Sequence, residues 1–85
     1  MHLEATRTFL KLYKKLDPEI KKQVKEALIL LEKDTSHPSL GHKKMTGYDD
    51  IYEIRVSKAY RITYTKAGDT AFLRKVGTHD ILRKP

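Results

Sequence analysis

Apolar positions change their spacing once along this chain, near Gly47, and the change divides it into a helical half and a β half. The short opening stretch His2-Leu3-Glu4-Ala5-Thr6 is read as an edge strand. Phe9, Leu10, Leu12, Tyr13 and Leu16 follow at intervals of three and four, which is helical spacing. Asp17-Pro18-Glu19 then marks a fresh helix start. Asp can cap free N–H groups, Pro fits the first turn, and Glu19 faces the positive end of the dipole. Ile20, Val24, Ala27, Leu28 and Leu31 lay one apolar stripe along the second helix, with Lys21, Lys22, Lys25 and Glu26 largely off it. So short a connection predicts an antiparallel helix pair. The cluster Asp34-Thr35-Ser36-His37-Pro38 predicts the stop.

Leu40 to Thr46 is a basic connector with room for a short strand, and beyond Gly47 the period falls to two. In Ile51–Val56, Tyr52, Ile54 and Val56 share one face while Glu53 and Arg55 take the other. Ser57-Lys58 is read as a two-residue turn, after which Tyr60, Ile62 and Tyr64 alternate with Arg61, Thr63 and Thr65. Ala67-Gly68-Asp69 is a second turn, leading into a strand from Thr70 to Val76. Leu73 and Val76 differ in parity there, which a β-bulge or two-sided burial accommodates. The expected architecture is a single α+β domain over residues 1–85. It has an N-terminal strand, a two-helix antiparallel hairpin and an antiparallel three-strand meander, with both helices on one sheet face. Such a sheet leaves its other face open, and Glu53, Arg55, Arg61 and Thr63 are the residues expected on it.

Composition narrows the chemistry. The chain has no cysteine, which excludes disulfides, thiolate metal sites and thiol nucleophiles. No apolar run approaches the roughly 20 residues of a membrane helix, and no signal-peptide pattern follows Met1, so a cytoplasmic protein with no membrane partner is expected. Eighteen Lys and Arg against eleven Asp and Glu give a formal charge of +7, a field that attracts polyanions. Part of that charge falls on the expected open sheet face, where a nucleic acid could use it.

Gly47-Tyr48-Asp49-Asp50-Ile51-Tyr52-Glu53-Ile54-Arg55-Val56, then Ala59-Tyr60-Arg61-Ile62-Thr63-Tyr64, then Val76-Gly77-Thr78-His79-Asp80, together resemble the RelE/ParE superfamily of toxin–antitoxin toxins. That superfamily's pattern is a Leu-x-Gly turn, a strand ending in an Arg-Val-like pair, a Tyr-Arg-Ile-x-Tyr strand, and a final Val-Gly-x-His or Val-Gly-x-Arg. Met45-Thr46-Gly47 stands in for the first element. The resemblance implies a RelE/ParE-like fold and an endoribonuclease that cuts mRNA in the ribosomal A site, inhibiting translation until a cognate antitoxin protein silences it. RelE-like members use mainly Lys and Arg, whereas YafQ-like and HigB-like members use histidines. His79, in Gly-Thr-His, matches the second kind. Counting back from Arg55-Val56, His42 falls where a YafQ-like active-site histidine would lie.

Metal-free RNA cleavage needs a base for the 2′-OH, cations for the pentacoordinate phosphate, and an acid for the leaving 5′-oxygen. An imidazole of ordinary pKa, about 6.5, suits either proton role. The expected set is His42 as base and His79 as acid, interchangeable at this stage, with Arg61 forking onto the phosphate and Arg55 beside it. Glu53 is expected to orient an arginine or to serve as the alternative base, and a plain Arg61–Glu53 cross-strand ion pair is the non-catalytic alternative. Lys43 and Lys44 are expected to contact phosphates or ribosomal RNA, with Tyr48 as a stacking platform. Many superfamily nucleases carry an aromatic beyond the last strand. This chain has none after Phe72, so either Leu82 packs against the base, Arg83 supplies the contact, or the activity is weak. His37 and His2 are read as a turn residue and an exposed terminus. No metal and no cofactor is expected. Two other functions share the fold: a ParE-like toxin acting on DNA gyrase through protein contacts, and a non-cleaving RNA-binding module.

Overall fold

The change of period is a change of architecture. A computed structural model describes residues 1–85 and runs β1 (His2–Ala5), α1 (Arg7–Lys14), α2 (Pro18–Lys33), a 3-10 turn (Pro38–Leu40), β2 (Lys43–Lys44), β3 (Ile51–Arg55), β4 (Tyr60–Ala67), β5 (Thr70–Thr78) and a final 3-10 turn (His79–Arg83). The strands form one sheet in the order β1-β5-β4-β3-β2. The predicted meander β3–β4–β5 is antiparallel, with β2 added antiparallel at one edge and β1 added parallel to β5 at the other.

One threonine manages the passage from β1 into α1. Thr6 is extended, its hydroxyl accepts from the Phe9 N–H at 3.2 Å, and the same hydroxyl donates to the Leu73 carbonyl at 2.7 Å. It therefore caps the helix and ties that cap to β5. Asp17 was expected to do the same for α2 but makes no side-chain cap bond; Pro18 in the first turn and Glu19 at the dipole's positive end remain. The helices fold back on each other closely enough to set the Lys21 ammonium 5.7 Å from the Tyr13 ring centre.

Phe9 from α1 and Val24, Ala27 and Leu31 from α2 meet Ile54, Ile62, Tyr64, Ala71, Leu73 and Val76 from the sheet in one core, closed at its end by Leu40. The period-two faces thus emerge as read, with Ile54, Ile62 and Tyr64 turned to the helices. The parity conflict in β5 is a bulge. Thr63 pairs with Lys75 and Tyr64 with Leu73, so Arg74 is the extra residue, and Leu73 and Val76 both reach the core.

Two expectations need correction. The β3–β4 connection is wider than a two-residue turn: Val56 N–H and Ser57 N–H both donate to the Tyr60 carbonyl, and no Gly or Asn is present to take the positive φ of a tight hairpin. The second sheet face is not fully open. The segment after β5 folds back across it, so Thr63 is 0% and Glu53 7% exposed. Pro85 is buried, and its carbonyl accepts from the Thr63 hydroxyl at 3.1 Å.

Leu31 is fully buried where α2 meets the sheet. Leu31→Ala is expected to lower the unfolding free energy by about 2–5 kcal/mol, measured by urea denaturation. A loss below a few tenths would show that α2 does not close the core.

Candidate active site

The register of β3 against β4 sets the site. Ile54 pairs with Ile62 on the core face, so the next pair, Arg55 with Arg61, lies directly across the two strands on the other face. Two guanidinium-bearing side chains opposite one another repel, and a sheet tolerates this where something anionic relieves it. Arg61 is anchored through one nitrogen: its Nη1 donates to the carbonyls of Ser57 at 2.7 Å, Tyr60 at 2.9 Å and Lys58 at 3.2 Å. Its Nε and Nη2 make no such bond, so the anchored side chain still has donors to offer. The wide β3–β4 loop supplies those carbonyls.

Beside this pair lies a cleft of about 200 Å³ lined by Gly41, Lys43, Glu53, Arg55, Arg61, His79 and Leu82. Five residues singled out in the sequence therefore converge: Arg55, Arg61, His79, Glu53 and Lys43. Glu53 is turned by β3 to the same face as Arg55, and β2 brings Lys43 opposite it, with Nζ 3.4 Å from Oε1. The carboxylate is buried while the lysine is mostly exposed, so Lys43, and not Arg61, is Glu53's ion-pair partner. His79 opens the 3-10 turn after β5 and stands exposed at the cleft.

The remaining four lie elsewhere. His42 precedes Lys43 and so points to the opposite sheet face. Its ring stacks on Tyr52 (5.2 Å between centres, 7° between planes) and on Tyr64 (5.7 Å, 24°), and its Nε2 is hydrogen-bonded to the Tyr64 hydroxyl. A His42–His79 pair working in one cleft is therefore not what this fold assembles. Lys44 pairs with Tyr52 in register and shares its face, while Tyr48 is exposed in the β2–β3 loop and Arg83 is exposed on the last turn; none of the three lines the cleft.

The stack changes the acid–base character of its members. Desolvation first, and the Lys66 charge second, lower the His42 pKa from its ordinary 6.5. Burial, then the neighbouring Tyr52, push the Tyr64 hydroxyl up to about 12. Both groups are thus held neutral at working pH. Gly41 is the cleft residue that sequence reasoning missed. It ends the 3-10 turn at φ +51°, a conformation glycine takes without strain, and a β-carbon there would sit 3.7 Å from the Arg55 side chain. Its position directly after Pro38-Ser39-Leu40 was the available signal.

Solved structures align with the chain over nearly its whole length. The RelB–RelE antitoxin–toxin complex from Methanococcus jannaschii is similar at 28% identity, with 94% of each chain covered and a TM-score of 0.77. The intact Escherichia coli RelBE complex is similar at 25% identity, covering 91% of this chain and 94% of that one, with a TM-score of 0.73. YafQ from E. coli BL21(DE3) shares the fold at 16% identity, with 94% of each chain covered and a TM-score of 0.75. No protein-family model and no curated sequence matches the chain.

Burial that lowers the His42 pKa makes the folded state bind a proton less readily than the unfolded chain. That contribution to stability is complete above the unfolded value of 6.5 and is lost as pH falls through the lower folded value. Between pH 7 and about pH 5.5 the wild type should lose more unfolding free energy than His42→Phe, which keeps an aromatic ring in the stack and cannot titrate. Parallel losses in urea titrations of the two proteins would remove His42 as the source.

Proposed function

We propose that this RelE/ParE-superfamily chain is the toxin of a type II toxin–antitoxin pair and cleaves mRNA in the ribosomal A site. The observation that carries the reading is the cleft in which opposed Arg55 and Arg61 meet Glu53, Lys43 and His79. A phosphodiester between the two guanidiniums converts their repulsion into paired, charge-assisted hydrogen bonds. Those bonds strengthen as the phosphorane gathers charge, which is where catalysis gains from them.

Glu53 and His79 divide the proton transfers. Glu53 takes the 2′-OH proton, the 2′-oxygen attacks phosphorus, and the bond from phosphorus to the 5′-oxygen breaks while His79 gives that oxygen its proton. The products are a 2′,3′-cyclic phosphate and a 5′-OH end, and solvent resets the two side chains. Glu53 replaces His42 as base because it lines the same cleft as His79, whereas His42 is committed to the tyrosine stack. Lys43 keeps the carboxylate paired, and with its side chain mostly exposed the remaining N–H donors of its ammonium face solvent, where a neighbouring phosphate would lie.

The cleft is small and Arg55 and His79 are exposed, so it encloses little of an RNA strand. Alignment of the scissile bond must come from outside the protein, which suits a substrate already threaded through the ribosome. A net charge of +7 favours approach to ribosomal RNA, with Lys44, Tyr48 and Arg83 as exposed contacts. The same field favours a cognate antitoxin with an acidic segment that orders on contact, and the similar solved RelE chains are held in complexes with RelB. No helix is long and apolar enough to cross a membrane, in keeping with action on cytoplasmic ribosomes.

Primer extension on a defined mRNA translated in vitro tests the reading. Wild type should cut at A-site codons only when ribosomes are present. Arg61→Ala should slow cutting by about 10²–10³-fold, and Glu53→Gln or His79→Ala by about 10²–10⁴-fold. His42→Phe should still cut; its failure, with Glu53→Gln active, would return the base to His42. Intact mRNA in an extract that translates normally would overturn the nuclease, and inhibition of DNA gyrase by the same protein would put the ParE-like function in its place.

A further inference from the structure

The bulge in β5 does more than reconcile the parity of Leu73 and Val76. By inserting one residue it sends two successive side chains, Arg74 and Lys75, to the face covered by residues 79–85. Arg74 Nε donates to the Pro85 carbonyl at 3.1 Å while its Nη1 is fixed by the Thr65 hydroxyl at 3.0 Å. Lys75 Nζ donates to the Lys84 carbonyl. From β4, the fully buried Thr63 hydroxyl donates to the same Pro85 oxygen at 3.1 Å. One carbonyl thus accepts from two strands at once.

The near end of this strap is held by shape. A β-carbon on Gly77 would fall 2.9 Å from Ile81 Cγ2, so the strap lies directly on the bare backbone of β5, opposite Arg61 in register. His79 lies between the end of β5 and Ile81, and Leu82 follows Ile81; both line the cleft. A strap fastened at one end only would leave the imidazole free to swing away from the arginines.

We propose that Thr63 and Arg74 are positioning residues: by clasping Pro85 they hold the strap across the sheet and so hold His79 at the Arg55–Arg61 pair. Neither residue touches the reacting groups, and the catalytic part of this inference rests on the nuclease reading above. Sequence position hides the link, since Thr63 reads as an ordinary strand threonine and Arg74 as one more surface cation.

The test uses Thr63→Val/Arg74→Met, which removes both donors to Pro85 and leaves an unbranched side chain of similar length at position 74, with Thr63→Ser as the conservative control. Amide exchange over residues 79–84 is expected to speed up by about tenfold in the double variant, roughly one hydrogen bond's worth of local opening, while β1 and α2 exchange as in wild type. The His79 imidazole resonances should move with it, and Thr63→Ser should keep both signals. In the ribosomal assay, cutting should slow at saturating mRNA–ribosome complex with KM unchanged. Unaltered strap exchange and unaltered His79 signals would overturn the clasp. A loosened strap with undiminished cutting would overturn its positioning role. If the wild type does not cut at all, the nuclease reading falls, while faster strap exchange with shifted His79 signals would still establish the clasp.

Discussion

The pairing register of β3 with β4 is the constraint on which the rest of the molecule depends. It sets Ile54 against Ile62 and Tyr52 against Tyr64 on the helical face, and Glu53 against Thr63 and Arg55 against Arg61 on the other. A slip of either strand by one residue would turn its side chains over, driving a guanidinium into the core and an isoleucine into water. Core burial therefore enforces the alignment of the cleft. The opposed arginines are a local liability, and the apolar pairs on the reverse face of the same two strands, with the helices packed on them, keep it in place.

A second dependence runs through β5. Without the extra residue at Arg74, either Leu73 or Val76 would leave the core, and Arg74 could not share a face with Lys75. The same irregularity lets the helical side pack and lets the strap be fastened on the other side. Thr6 connects this strand to the helices as well, since its hydroxyl caps α1 while bonded to the carbonyl of Leu73, the residue just before the bulge. Cap, bulge and strap thus meet on β5: Thr6 bonds to its backbone at Leu73, and the bulged Arg74 next to it bonds through its side chain to Pro85.

Much of this was legible in the residues. Stripes at three and four, then alternation, located both helices and the meander, and the clash of parity between Leu73 and Val76 left a bulge or two-sided burial, of which the fold takes the bulge. Strand parity also placed Arg55, Arg61 and Glu53 together, and the Val-Gly-Thr-His frame brought His79 to them. What stayed hidden was long-range. That β1 adds parallel to β5 depends on pairings across most of the chain, which no local period encodes. The strap was equally invisible: a mixed segment such as Ile81-Leu82-Arg83-Lys84-Pro85 has no periodicity from which burial follows, so Thr63 and Glu53 were expected to face solvent. His42 misled for a related reason. A count back along the sequence locates a residue on the chain, while the parity of β2, too short to show alternation, decides its face.

The two histidines that the sequence made look equivalent illustrate how position decides chemistry. His42 lies flat among Tyr52 and Tyr64, where desolvation favours the neutral ring and a hydroxyl already occupies its Nε2. Such a ring fills space and fixes a buried phenol, and the nitrogen that a substrate would use is already bonded to the Tyr64 hydroxyl. His79 is exposed, on a turn that lies on glycine at one end and leads to a hydrogen-bonded clasp at the other. A group that must hand over a proton has to be reachable and yet not free to wander. The stack gives His42 the second property, with its Nε2 already engaged. The strap gives His79 both, because it restrains the backbone and leaves the imidazole in solvent beside the cations that would hold a phosphate.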